Sequence, residues 1–240
     1  MCGFVVSVGK SIDRASMHQA LSSIRYRGPD ETGIWDNPRH NVCFGHVRLN
    51  IIDLKTGHQP ITNHDESLVA VVNGEFYGYQ AIRESLAKDG YRFKTASDSE
   101  IILGLYERHG VRALQFLRGE FAFVLWDEKN RLVFAARDYF GVKPLFYLEE
   151  KDAIYFASEA KAFKALDLPL SFGEENFFQA LCLIPHPEET IFSGIKQIPP
   201  ANYLIKSTLS HSGKVQAYWD FNYPKAKAHV SNLSIEEAAS

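Results

Sequence analysis

The chain has little of several things that would steer its reading. Only three of its 240 residues are cysteine, Cys2, Cys43 and Cys182. They are too few and too scattered for a disulfide framework or a cysteine-built zinc site, and they point to a reducing, cytoplasmic setting. The nine histidines show no metal-ligand spacing, so no metal is expected. Neither sign of charge is in excess. Lys and Arg number 26 against 29 Asp and Glu, and this near balance gives no basic footprint for nucleic acid or an anionic bilayer. No apolar run approaches the ~20 residues that a membrane helix needs. The tidiest runs, Leu68 to Val72 and Phe121 to Trp126, are strand-sized. No basic segment precedes the apolar start at Phe4-Val5-Val6, so no signal peptide is expected. Internal repeats and low-complexity tracts are missing too.

What is present is an apolar and aromatic supply. Hydrophobic residues make up 45% and the aromatics include 17 Phe and 11 Tyr. A chain of this length buries roughly 70–75% of its extended-state surface, so a large core is available. Periodicity predicts a strand over residues 2–8 and a helix over 14–26, stopped by Gly28-Pro29. Alternation predicts a strand from Val42 to Ile51, with His46, Arg48 and Asn50 on its polar face. Further strands are expected at 68–72, 121–127, 131–137, 144–148 and 153–157, and a hairpin broken by Pro199-Pro200 over 193–206. Helices are expected at Tyr79–Lys88, Ser99–His109, Ser158–Lys164 and 174–182, the second opened by a Ser97-x-x-Glu100 capping box. Residues 234–239 read as a further helix start.

Four positions carry chemistry, each with a plain structural alternative. Removal of Met1 frees an α-amine on the residue that bears the Cys2 thiol. With reference pKa values of about 8.5 for a thiol and 7.7–8.0 for an α-amine, nucleophile and base arrive on one residue near working pH. A small residue after the initiator is otherwise unremarkable. Asn73-Gly74 follows a buried run and is either a hairpin turn or a pair of oxyanion donors, the Asn73 amide and the Gly74 N–H. Arg48 is either a solvated strand arginine or an anion clamp. Asp98 is either a favourable charge at a helix start or a cation clamp.

The motifs occur in a fixed order. They run Met1-Cys2-Gly3, Arg25-Tyr26-Arg27-Gly28-Pro29-Asp30, His46-Val47-Arg48-Leu49-Asn50-Ile51-Ile52-Asp53, Asn73-Gly74-Glu75-Phe76-Tyr77 and Ser97-Asp98-Ser99-Glu100. Gly119-Glu120-Phe121-Ala122-Phe123, Arg137-Asp138, Gly141-Val142-Lys143-Pro144-Leu145, Ala157-Ser158-Glu159 and Ile198-Pro199-Pro200 follow. Over residues 2–220 this set resembles the class II glutamine amidotransferase domain of glutamine-dependent asparagine synthetases.

The resemblance implies an α+β fold, a four-layer αββα N-terminal-nucleophile sandwich of two antiparallel sheets. It implies Cys2 as nucleophile, with Asn73 and Gly74 holding the oxyanion. Arg48 is then expected on the glutamine α-carboxylate, Glu75 and Asp98 on the α-ammonium, and backbone groups of Leu49, Asn50, Ile51 and Ile52 along the pocket. Residues 221–240 become a linker and the start of a synthetase domain. The Ser-Gly-Gly-x-Asp-Ser loop that binds ATP pyrophosphate in that domain occurs nowhere in the sequence. ATP and magnesium are therefore expected only in the synthetase part, and the implied partners are glutamine, that synthetase domain or subunit, and a second copy in a homodimer. Two positions depart from the common pattern: Gly78 where Asn is frequent, and Tyr26 where His is frequent. A glutaminase feeding a different acceptor, and a non-catalytic regulatory module, are the alternatives.

Overall fold

The computed structural model describes residues 1–184, 186–210 and 212–222. The expected helix start at 234–239 and nearly all of the expected linker lie outside them. Twelve strands in the described residues are β1 Gly3–Val8, β2 Glu31–Asn37, β3 Val42–Arg48, β4 Ile61–Thr62, β5 Leu68–Phe76 and β6 Gly119–Asp127, then β7 Leu132–Arg137, β8 Phe146–Glu149, β9 Ile154–Ala157, β10 Ile195–Gln197, β11 Asn202–Ser207 and β12 Lys214–Ala217. The helices are α1 Arg14–Ser23, α2 Tyr79–Lys88, α3 Ile101–His109, α4 Lys161–Lys164 and α5 Glu174–Leu181.

The strands form two six-stranded antiparallel sheets, ordered β10-β8-β9-β1-β3-β2 and β12-β11-β7-β6-β5-β4. Strand alternation sorts their side chains into three apolar layers. Between the sheets lie Phe4, Val6, Phe44, Val69, Val71, Val124 and Trp126. The opposite faces of the same strands send Val5, Cys43 and Val47 against α1, and Val72, Phe121, Phe123 and Leu125 against α3. The layering is therefore helix, sheet, sheet, helix, the αββα arrangement that the resemblance implied. Both faces of the central strands are buried, so β1, β5 and β6 read as continuous apolar runs with no polar alternation.

Several expectations are corrected. The third strand ends at Arg48 rather than Ile51, and residues 49–53 form a loop. His46 is fully buried between the sheets, not on a polar outer face. Residues 193–206 are not a hairpin: β10 pairs with β8 in one sheet and β11 with β7 in the other, so the chain crosses between sheets at Pro199-Pro200. The first helix gives way to a single 3₁₀ turn over Arg25–Arg27. The capping box forms only by half. Ser97 Oγ accepts from the Ser99 N–H at 3.2 Å. Glu100 instead accepts from the Lys94 and Thr95 N–H groups, at 2.8 and 2.7 Å, and so closes the preceding loop.

Asn73-Gly74 is neither a turn nor a strand end. Both residues lie inside β5, paired with Ala122 and Phe121 of β6. Gly74 is required by a positive φ of 142° and by crowding, since a Cβ there would lie 1.9 Å from the Glu120 carbonyl oxygen. Gly78 sits at φ 66° ahead of α2, a left-handed position that glycine and asparagine both reach, with no side-chain cap on the helix.

Candidate active site

A pocket opens where the start of β1, the loop after β3, the end of β5 and the turn at Ser97-Asp98-Ser99 meet. Its lining includes Cys2, Arg48, Leu49, Ile51 and Ile52 from one side, and Asn73, Gly74, Glu75 and Asp98 from the other. Nine of the ten residues expected at the site thus share one cavity of about 130 Å³. Asn50 does not line it: its N–H donates to Asp30 at 2.8 Å, which ties the loop down.

The motifs hold one another in place. Arg27 donates through Nε to the Cys2 carbonyl at 2.9 Å and pairs through Nη1 with Glu159 at 2.8 Å. Ser158 and Phe4 exchange two hydrogen bonds of 3.0 Å, which fixes β1 one turn of the pleat beyond the thiol. Tyr26, the position where His is frequent, donates to Glu159 and lies under the Lys161 ammonium. Two separated sequence motifs therefore brace the start of β1, one at Cys2 and one at Phe4.

The Cys2 thiol is half-buried and accepts from the Leu49 N–H at 3.4 Å. Burial pushes its pKa up, opposed by that N–H, the chain's amino terminus, Arg48 and Arg27. Arg48 is only 4% exposed. It donates to the Ile52 and Asp53 carbonyls at 2.9 and 2.6 Å and pairs with Glu31 at 3.1 Å. Those contacts occupy three of its five N–H donors and leave two for a ligand.

The register of β5 explains the opposite wall. The Tyr77 N–H bonds to the Arg118 carbonyl, and both backbone groups of Phe121, the partner of Gly74, go to Asp138 on the far side of β6. The alternation of an antiparallel pair then turns the N–H groups of Val72, Gly74 and Phe76 away from β6, toward an edge that β4 covers only as far as Ala70. Val72 donates to Gln59 Oε1 at 2.6 Å and Phe76 donates to Asp98 Oδ2 at 2.8 Å. The Gly74 N–H between them faces the pocket. Beside it, both polar atoms of the Asn73 amide are buried and without a hydrogen-bond partner. Such groups are costly unless something occupies the site.

Asp98 is 3% exposed, and burial raises its pKa against the pull of the Phe76 N–H and the Ser97 and Ser99 groups. No ion pair to it occurs among the described residues. Glu75 is exposed at the rim. Sequence reasoning missed Gln59, Ser97, Ser99, Glu120 and Lys143, which also line the pocket. The last two form an ion pair at 2.9 Å. Lys143 and Glu120 lay inside recognised motifs, so a signal existed, whereas Gln59 offered none beyond its place before Pro60.

Two antiparallel sheets between helices, with Cys2, Asn73 and Gly74 on one pocket, form the N-terminal-nucleophile type of fold. Residues 1–219 match the family model described as a glutamine amidotransferase domain, and the chain belongs to that family, in its class II branch. It is 38% identical over 209 residues to amidase chry2 of Gibberella zeae, covering 87% of this chain and 31% of that protein. It is 35% identical to asparagine synthetase [glutamine-hydrolyzing] 1 of Bacillus subtilis, covering 98% and 38%. The chain thus spans about a third of the length of these curated relatives. The fold matches glutamine phosphoribosylpyrophosphate amidotransferase from B. subtilis with a TM-score of 0.69 at 19% identity, over 91% of this chain and 49% of that one.

Proposed function

We propose that this domain hydrolyses glutamine to glutamate and ammonia through a thioester on Cys2. The observation that carries the reading is the single pocket that joins the Cys2 thiol, a buried guanidinium with two open donors, an unpartnered Asn73 amide and an uncompensated Asp98. Glutamine needs one group of each kind.

In this reading Arg48 and the loop backbone at Leu49, Ile51 and Ile52 take the α-carboxylate, while Glu75 and Asp98 take the α-ammonium. The thiol sulfur attacks the side-chain amide carbon and its proton passes to the α-amine of Cys2. The amide oxygen becomes negative between the Asn73 amide and the Gly74 N–H. The C–N bond then breaks, the amine returns the proton to the leaving nitrogen, and ammonia departs. Water adds to the thioester, the C–S bond breaks, and glutamate leaves with the thiol restored. Met1 lines the same pocket and ties the Cys2 nitrogen into a peptide bond, so its removal precedes activity.

The ammonia would serve an ATP-dependent synthetase domain of the same natural chain or a partner subunit, with aspartate as acceptor and asparagine as product. A second reading is favoured by the relatives named amidases, at 38% and 37% identity beside 35% for an asparagine synthetase: the same glutaminase feeding amidation of another carboxylate. The acceptor never enters this pocket. Glutamate release from glutamine by the chain processed to Cys2 tests the glutaminase. Offering aspartate and other carboxylates with ATP to the full-length protein tests the acceptor. A processed, folded chain without glutaminase activity would return the domain to a regulatory role.

A further inference from the structure

Gln59 sits on the pocket wall, 8% exposed, and does something unusual for a side chain. Its Oε1 accepts from the Val72 N–H at 2.6 Å and its Nε2 donates to the Val72 carbonyl at 3.1 Å. One primary amide thus takes both backbone groups of one strand residue, the same pair that a neighbouring strand would take. It does so beyond Ala70, where β4 no longer covers the edge of β5. The residue it clamps comes immediately before Asn73 and two before Gly74.

The clamp is anchored on the other sheet. A Cβ on Gly33 of β2 would lie 1.9 Å from the Gln59 carbonyl oxygen, so the two main chains are in direct contact. His46 of β3 reaches the same Val72 carbonyl from between the sheets, Nε2 to O 3.1 Å. Gln59 therefore fixes the strand carrying the oxyanion donors relative to the sheet carrying Cys2 and Arg48. A main chain free to shift by even 1 Å would misplace two donors at once, and misplacement of that size can cost ~10²-fold in rate.

We propose that Gln59 is a positioning residue for the oxyanion hole, holding the Asn73 amide and the Gly74 N–H where charge develops on the substrate oxygen. The proposal rests on the glutaminase reading. It concerns an interaction that strengthens in the transition state, so it separates from substrate affinity.

The test uses the chain processed to Cys2, with Gln59→Met and Gln59→Glu, circular dichroism and thermal melts to count folded molecules, and glutamine kinetics. Gln59→Met is expected to lower kcat about 10–100-fold while KM stays within about threefold, because Arg48, Glu75 and Asp98 are untouched. The aldehyde analogue of glutamine supplies a second readout. The Cys2 sulfur adds to its carbonyl carbon and the thiol proton goes to oxygen, which places a tetrahedral oxygen in the hole. Its affinity should fall by the same factor as kcat, and that of glutamate should not change. Gln59→Glu keeps the acceptor for the Val72 N–H but, ionised, cannot donate to the carbonyl. Its kcat relative to wild type should be low at neutral pH and recover as the carboxyl is protonated.

A lowered melting temperature with kcat per folded molecule unchanged would make Gln59 a structural residue only and overturn the proposal. So would a raised KM with kcat intact, or a Gln59→Glu ratio that ignores pH. Wild-type protein that turns over no glutamine would bring down the glutaminase reading together with this one, whereas active wild type with indifferent Gln59 variants overturns the clamp alone.

Discussion

On and behind the pocket wall built from β1 and β3, the buried arginines stand in ion pairs. Arg27 holds Glu159 and the Cys2 carbonyl, and Arg48 holds Glu31 and two loop carbonyls. On the facing wall, built from β5 and the turn at Asp98, the polar groups are held by backbone and left open. The Asn73 amide has no partner, the Gly74 N–H faces the cavity, and Asp98 has only neutral donors. The first wall is scaffolded by side-chain ion pairs that stand without ligand. The second is complete only when a ligand brings an oxygen and a cation. A buried amide with both atoms unpaired is a stored cost of ~1–3 kcal/mol per group, and a substrate oxygen relieves the Nδ2 part of it. In the proposed reading the paired wall supplies the thiol and the carboxylate clamp, and the open wall supplies the oxyanion donors and the ammonium clamp.

The largest effect is expected at Cys2. Cys2→Ala should lower glutamine turnover by a factor on the order of 10⁴ or more while glutamine binding stays measurable by titration. Cys43→Ala, in the layer beneath α1, and Cys182→Ala, on the surface, should leave turnover per folded molecule nearly unchanged.

On the open wall, Asn73→Ala should cost ~10²–10³ in kcat with little change in KM, because the lost donor acts chiefly on the developing oxyanion. Steady-state kinetics on protein shown to be folded decide this, and retention of more than about a third of turnover contradicts the role. On the paired wall the pattern should invert. Arg48→Lys replaces a fork by a point charge and should raise KM about 10-fold or more, with the smaller effect on kcat. If Asn73→Ala moved KM and Arg48→Lys moved only kcat, the roles proposed for these two residues would fail.

The smallest effect sharpens the junction between the walls. His46 is fully buried against the Val72 carbonyl, and burial holds its pKa down to about 4. The unfolded chain takes up that proton near pH 6.5, so it binds more protons than the folded chain between about 6.5 and 4. Stability from this group is complete above pH 6.5 and is lost as pH falls through that window. Urea titrations at pH 7 and pH 5 should differ by about 2 kcal/mol from His46 alone. His46→Gln, which can still donate to Val72, should remove that share of the difference.

Much of the fold was legible because both faces of the central strands are apolar, so β1, β5, β6, β7 and β9 stand out as runs. The helix Tyr79–Lys88 was legible from its stripe. The crossing at Pro199-Pro200 was not, because two short strands separated by four residues look alike whether they pair or part. The Asn73-Gly74 pair was visible as residues but hidden as geometry. Asn-Gly signals a turn, and only the Glu120 carbonyl against Gly74 shows why glycine stands within a strand. Nothing local marks Gln59, whose partner is 13 residues away and is backbone. Asn50 was expected along the pocket by its neighbourhood, and its N–H is instead taken by the Asp30 carboxylate.

The central claim is that glutamine passes through a thioester on Cys2. The direct measurement mixes the chain processed to Cys2 with excess glutamine, quenches in acid during turnover, and determines the intact mass and the modified peptide. The account predicts a fraction of protein heavier by one glutamyl group, carried on the N-terminal cysteine and absent from Cys2→Ala and from protein retaining Met1. Turnover without an adduct on Cys2, or equal turnover with Met1 still attached, would contradict it.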